Sequence, residues 1–334
     1  MTNRRIVLAS RPEGEPQAAN FRLETVELPD PGDGEVLIRT RYLSIDPYMR
    51  GRMSDAPSYA PPVGIGEVMV GSTVGEVVES KAPGLQAGDF VTGFTGWQEY
   101  AVLPGRAVRK IKAESTPPSY HLGVLGMPGL TAYGGLLNIG DPKPGETVVV
   151  AAASGPVGSL VGQIAKIREC RAVGIAGGLE KCRYVTEELG FDACVDHRSA
   201  GFRDELKAAC PDGIDVYFEN VGGPVLEAVL PLMNNFGRVP VCGLIASYNA
   251  VELPPGPDRS PVLMRAVLTR RLRMQGFIVT DFANQMPDFL RDVTGLNEGR
   301  VRCKEDFVDG LERAPEALTS VLTGRNFGKM LVRF

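Results

Sequence analysis

The chain has 334 residues, more than one hydrophobic core comfortably serves, so two domains are expected. It is 43% apolar and 23% charged, with a net charge of −4 and no long block of one sign, which argues against nucleic acid as the main partner. No window approaches ~18 uninterrupted apolar residues, no secretory leader is legible, and the six cysteines are scattered; a cytoplasmic protein without membrane spans or disulfides is expected.

In chain order, residues 5 to 111 read as β-rich. "FRLETVEL", "EVLIRTRYLSI", "STVGEVVES", "GDFVTGF" and "QEYAVL" are short, partly alternating runs separated by Gly, Pro and Asp, the pattern of a barrel or sandwich. The texture changes across "STPPSYHLGVLGMPGLTAYGGLL", where Met127 and Tyr133 read as core residues. From there to about Gly299 strands alternate with helices. "ETVVVAA", "RAVGIA", "ACVD", "IDVYFEN", "GRVPVCG" and "LRMQGF" are the strands, and "SLVGQIAKIREC", "EKCRYVTEELG" and "GPVLEAVLPLM" are helical. Such alternation means a parallel sheet covered on both faces. "ELPPGPDRSP" reads as a loop inside this domain, and the basic run "LTRRLRMQ" as the end of a solvated helix. The last strand, "KMLVRF", can return to the N-terminal β-domain. The expected division is a β-rich domain over 1–122 and 300–334, and a doubly wound domain over 123–299.

The stretch Ala152-Ala153-Ser154-Gly155-Pro156-Val157-Gly158 follows an apolar strand and opens a helix. Gly155 lets the backbone approach a pyrophosphate, Gly158 lets the helix sit close to the strand, and the helix N-terminus offers amides and the positive end of its dipole. Ser154 adds a hydroxyl, and Gly162 one turn later eases helix packing. A glycine fingerprint alone is weak; its position between a strand and a helix, ahead of five further strands, makes it a dinucleotide site.

An NAD site usually carries an acid at the end of the second strand to hold the ribose 2′-hydroxyl. Here that tip is Ala176-Gly177-Gly178, and Lys181 just beyond can meet a 2′-phosphate as a point charge. NADP is therefore expected, with Glu180 as the competing residue inside the next helix.

Residues 1 to 120 contain neither Cys nor His, so the zinc sites of alcohol dehydrogenases have no ligands there. His121 and His197 are too few and too far apart to suggest a metal site. Without a Lewis acid, alcohol oxidation is disfavoured, whereas hydride transfer to an electron-poor carbon needs only the coenzyme. Nothing basic flanks Cys242, which reads as an inert thiol. Arg50 reads as a structural ion partner.

Six segments, "LSIDPYMRGRM", "GMPGLTAYGGLLNIGDPKPGETVVVAAASGPVGSLVGQIAK", "DVYFENVGG", "VPVCGLIASYN", "LPPGP" and "GRNFGKMLVRF", together span nearly the whole chain. In them the chain resembles the zinc-free medium-chain dehydrogenases/reductases of the leukotriene 12-hydroxydehydrogenase, prostaglandin reductase and alkenal double-bond reductase branch. "HRSAGF" is most similar to the bacterial curcumin reductases. The resemblance implies a Rossmann-type domain beside a GroES-like, partly open barrel domain, a homodimer, and NADPH-dependent reduction of the C=C bond of α,β-unsaturated ketones and aldehydes. It implies phosphate contacts at Ser154, Gly155, Pro156, Val157 and Gly158, and the 2′-phosphate at Lys181, with His197 where many relatives have tyrosine. Asn220 corresponds to an asparagine near the ribose. Cys242, Gly243, Leu244, Ile245, Ser247 and Tyr248 correspond to the loop over the pyrophosphate and nicotinamide. Phe277, Ile278 and Val279 match the backbone beside the carboxamide, and Asn326 matches a late coenzyme contact. Tyr248 is the first candidate for the proton donor and Tyr48, in "DPYMR", the second, as a substrate-positioning hydroxyl; both also have structural readings. Quinone reduction, or coenzyme binding without catalysis, remain the alternative functions.

Overall fold

The computed structural model describes residues 1–112, 116–252, 256–296 and 301–334. The "LPPGP" segment therefore lies partly outside the described residues, as does the expected boundary at 299 and 300. The chain divides into two compact units, one made of Met1–Gly126 with Glu305–Phe334 and the other of Met127–Lys304.

The first unit is β-rich. β1 (Thr2–Leu8) and β2 (Phe21–Glu27) form an antiparallel hairpin in which Leu8 faces Phe21. β3 (Glu35–Ser44) is followed by a short helix, α1 (Tyr48–Arg52), and then by β4 (Thr73–Ser80), β5 (Phe90–Gly93), β6 (Tyr100–Pro104) and β7 (Arg109–Lys110). β3 pairs antiparallel with both β4 and β6, and β4 carries the sheet on through β5 to β7. Val36, Ile38, Val77 and Val91 alternate inward and form one core, as a half-buried antiparallel sheet requires.

The second unit opens with α2 (Met127–Gly134) and continues with β8 (Thr147–Ala151), α3 (Pro156–Ile167), β9 (Arg171–Ala176), α4 (Leu179–Arg183), β10 (Ala193–Asp196), α5 (Phe202–Ala209), β11 (Ile214–Phe218), α6 (Gly223–Val229), β12 (Met233–Val241), α7 (Ser260–Arg270), β13 (Arg273–Gly276) and α8 (Met286–Leu296). Its six strands are all parallel, in the order β10-β9-β8-β11-β12-β13. That is the doubly wound order in which the chain reverses direction between the first and fourth strands. Val148, Val149, Val150 and Ala151 are all fully buried, so both faces of β8 are covered. One face packs on Phe202 and Leu206 of α5 and Val225 and Val229 of α6. α3 lies on β8 and β9, and Gly162 makes room on it for Phe191, which precedes β10: a Cβ there would meet the Phe191 ring at 1.8 Å. None of the residues of α7 is buried, but it takes in only the first part of the basic run: Leu272 is buried in the core, and Arg273 to Gln275 belong to β13, because the chain re-enters the sheet there.

The chain then returns to the first unit with β14 (Glu305–Asp309), α9 (Ala314–Leu322) and β15 (Lys329–Arg333). β15 lies antiparallel to β3 and parallel to β14, so the terminal strand does rejoin the β-rich domain. The resulting sheet path runs from β14 to β7 without closing on itself, in keeping with a partly open barrel. Among the described residues no helix is long and apolar enough to cross a membrane.

Candidate functional site

Parallel strands bring their carboxyl ends to one edge, and in an open sheet the ligand crevice lies outside that edge where the strand order reverses. Here the reversal falls between β8 and β11. Every candidate coenzyme residue of the second unit follows the end of one of these strands: 154–158 after β8, Lys181 after β9, His197 after β10, Asn220 after β11, 242–248 after β12, and 277–279 after β13. The Asn220 amide donates to the Ala151 carbonyl at 2.8 Å, which ties the two strands together across the reversal.

The glycine turn has the dimensions of a cradle. The first helical bond of α3 runs from Ser159 N to Gly155 O at 2.9 Å, so the amides of Val157 and Gly158 precede it and point out of the helix start. A Cβ on Gly158 would come within 2.4 Å of the Ala152 carbonyl, so only glycine permits this approach of helix to strand. Ala152 has φ +54°, a left-handed conformation that most L-residues avoid. Ser154 is buried beneath the turn.

The tip of β9 is where the sequence lacks an acid. Gly178 has φ +99°, and a Cβ on Gly177 would meet His197 Nε2 at 2.9 Å and Arg198 Nε at 3.0 Å. A side chain at position 177 would have to displace the ends of the His197 and Arg198 side chains. Asp196 Oδ1 accepts the Gly178 and Arg198 amides, each at 2.9 Å, which fixes the β9 and β10 tips side by side. Burial first, and then the Arg198 and Lys181 charges, hold the His197 imidazole below its usual value, with Asp196 opposing. Three nitrogenous side chains thus gather at a β9 tip that carries no acid of its own, with Asp196 of β10 engaged by backbone amides. Arg198 is the member that sequence reasoning missed; its signal was its place beside His197 in "HRSAGF".

The loop after β12 is half-exposed, and Leu244 is 42% exposed. The Tyr248 hydroxyl accepts the Leu244 amide at 3.3 Å. The Cys242 thiol is pushed up to about 12 by burial and then by Glu219, which leaves it a poor nucleophile, as its neighbours suggested. The Phe277 ring belongs to the core and meets Phe218 edge-on at 6.1 Å, so only its backbone is available to a ligand. The Ile278 amide donates to Asp281 Oδ2 at 2.9 Å. Tyr133 donates to Asp292 Oδ2 at 2.7 Å and packs on Phe289, a structural role that binds α2 to α8.

In the first unit Tyr48 opens α1. Its hydroxyl is buried without a protein partner among the described residues, and burial, reinforced by Asp46, pushes the phenol well up. It is a neutral donor at any physiological pH. Asn326 donates to the Gly328 carbonyl at 2.8 Å and shapes the turn before β15. Arg50 is structural, but its guanidinium holds the Gly14 carbonyl at 3.0 and 3.1 Å and the Pro12 carbonyl at 3.4 Å; it partners carbonyls, and the ion pair expected of it is replaced by these bonds.

Fold and crevice together define a pyridine-nucleotide oxidoreductase with a β-rich companion domain. Residues 4–111 match the family described as "N-terminal domain of oxidoreductase", and 156–294 match "Zinc-binding dehydrogenase". The chain is 57% identical to the NADPH-dependent curcumin reductase of Escherichia coli over 99% of this chain and 96% of that protein. It is 41% identical to the 2-alkenal reductase (NADP(+)-dependent) of Nicotiana tabacum, over 99% and 97% of the two chains. The crystal structure of CurA in complex with NADPH from Vibrio vulnificus superposes with a TM-score of 0.95 at 53% identity, covering 99% of this chain and 98% of that one. The chain belongs to the zinc-free medium-chain dehydrogenases/reductases, in the branch of the curcumin, alkenal and prostaglandin reductases. The zinc in the second family's description has no counterpart in the first 120 residues, which lack Cys and His.

Proposed function

We propose that this protein reduces the C=C bond of α,β-unsaturated ketones and aldehydes with NADPH. The observation that carries the reading is the β9 tip, which has no acid of its own and has Lys181, His197 and Arg198 about it, in a chain 57% identical to an NADPH-dependent curcumin reductase. The residues fit the coenzyme: Ser154, Gly155, Pro156, Val157 and Gly158 take the pyrophosphate, and Lys181 with His197 takes the 2′-phosphate. Asn220 lies near the ribose, and 242–248 with 277–279 line the nicotinamide end. Asn326 is a further coenzyme contact that the family resemblance implies.

When bound, NADPH supplies a hydride to the β-carbon of the enone. The protein's part is to stabilise the negative charge that develops on the carbonyl oxygen and to deliver a proton to the α-carbon. Tyr248 is the donor we assign first. Accepting the Leu244 amide polarises its O–H toward donation. Tyr48 holds the substrate oxygen: a buried phenol hydroxyl without a protein partner gains a hydrogen bond when a carbonyl arrives.

The protein is read as a cytoplasmic homodimer. In support, β13 is an outer strand of its sheet with Arg273, Gln275 and Gly276 exposed, and α7 presents Val262, Met264 and Leu268 at 57%, 61% and 77% exposure. A second copy would cover an unpaired edge of this kind.

The test is NADPH consumption with a series of enones and quinones, with products identified by mass. Saturated ketones formed faster than hydroquinones support the reading. Absence of turnover with every enone at high enzyme, or faster quinone turnover, sinks it.

A further inference from the structure

We infer that Glu219 is a positioning residue: its carboxyl shapes the turn after β11, its main chain ties that turn to the loop after β12, and together they set the nicotinamide end of the crevice. This rests on the NADPH reading above. Glu219 is 1% exposed, directly beyond the last residue of β11. Its Oε1 accepts three hydrogen bonds, from Val221 N at 2.7 Å, Gly222 N at 2.8 Å and Tyr217 Oη at 3.0 Å. Its own amide donates to Pro240 O at 2.9 Å, and its carbonyl accepts Cys242 N at 2.9 Å and Gly243 N at 3.1 Å. The next residues continue the lacing: Ile245 N donates to Asn220 O at 3.3 Å and Ala246 N to Val221 O at 3.0 Å.

The two loops therefore hold their shape through one buried residue. Gly222 has φ +76° and ψ −160°, a backbone state almost reserved for glycine, and the carboxyl holds its amide there. Burial raises the Glu219 carboxyl, which fits an oxygen, Oε2, that has no partner among the described residues. Retaining a buried carboxyl is unfavourable unless its acceptors are needed, and here three donors depend on one oxygen. The loops it joins carry Asn220, Cys242 to Ile245, Ser247 and Tyr248. Removing the carboxyl leaves the Val221 and Gly222 amides unsatisfied, so the turn shifts, and with it the Glu219, Asn220 and Val221 carbonyls on which the loop carrying Tyr248 is hung.

The experiment measures NADPH dissociation constants by calorimetry, with kcat and both KM values, for wild type, Glu219→Leu, Glu219→Gln and Tyr217→Phe. Glutamine keeps an acceptor oxygen at the Oε1 position. We expect Glu219→Leu to weaken NADPH at least tenfold and to lower kcat, and Glu219→Gln to stay within threefold of wild type. Tyr217→Phe, which removes one of the three donors and leaves the carboxyl, should fall between them. If Glu219→Leu does not fold, the comparison of Tyr217→Phe with Glu219→Gln carries the test. Variants that lose thermal stability but bind NADPH and turn over as wild type overturn the inference, since the role is then structural only. Wild-type protein without affinity for NADPH overturns the functional reading as well; wild-type affinity with unchanged variants overturns this inference alone.

Discussion

Lys329 and Asp46 form a buried ion pair, Nζ to Oδ1 at 3.0 Å, with side chains 3% and 5% exposed. Lys329 also donates to the Ile45 and Met330 carbonyls at 2.8 and 3.1 Å, so all three of its protons have acceptors. Ser44 Oγ donates to the other carboxylate oxygen. The pair fastens the start of β15 to the end of β3, two residues ahead of Tyr48. Breaking it by Lys329→Met leaves an uncompensated buried carboxylate, and a loss of about 3–5 kcal/mol is expected in urea unfolding. The double variant Asp46→Asn/Lys329→Met should be more stable than Lys329→Met alone, because no lone charge remains. A loss below about 1 kcal/mol for the single variant would show the pair to be unimportant.

Ala152 sits in the left-handed region at φ +54°. An L-residue there loses about 1–2 kcal/mol relative to the right-handed form, and glycine does not, although it loses about 0.5–1 kcal/mol in chain entropy. Ala152→Gly should therefore leave stability unchanged or raise it by about 0.5 kcal/mol. Unfolding midpoints of the two proteins decide the matter; a drop of about 1 kcal/mol contradicts strain at this turn.

At the β9 tip, Lys181→Ala should weaken NADPH by about ten- to a hundredfold, the worth of one charge-assisted hydrogen bond, and leave NADH unchanged. The same tip predicts a pH effect. His197 is held below its usual value in the free protein, mainly by burial. A phosphate dianion beside it would raise that value, so NADPH should bind more tightly as pH falls through the imidazole range, while NADH should not. Titration of His197 by NMR with each coenzyme checks this; equal values in the two complexes would count against the assignment.

His121 is held down to about 4 by burial first and by Arg109 second, and its Nδ1 is buried without a partner among the described residues. The unfolded chain holds that proton below about 6.5 and the folded one does not. Stability is therefore intact above about 6.5 and is lost as pH falls toward 4. His121→Leu should flatten this part of the stability curve relative to wild type. Parallel curves for the two proteins would show that His121 does not titrate in this way.

Much of the fold was legible because it is written in local periods. The apolar run from Thr147 to Ala151, the glycines after it and the amphipathic run to Ile167 specify a strand, a turn and a helix without help from distant residues. The missing acid at Ala176-Gly177-Gly178 was equally plain. Arg198 was not, because its approach to Gly177 depends on β10 lying beside β9. Glu219 is an acid at a strand end that no local pattern singles out, and only the pairing of β11 with β12 makes it the residue on which two loops close.

By itself, then, the sequence determined the order of elements, the strand–turn–helix cradle, the preference for a phosphorylated coenzyme and the lack of zinc ligands, since each depends on residue types at short separations. Tertiary structure alone decided which side chains meet across distant segments: Lys329 with Asp46, Asn220 with the Ala151 carbonyl, and the Cys242 amide with the Glu219 carbonyl. The physical reason is that hydrogen bonding and burial act over a few ångströms in space, and residues tens to hundreds of positions apart come within that range only once strand order and register are fixed.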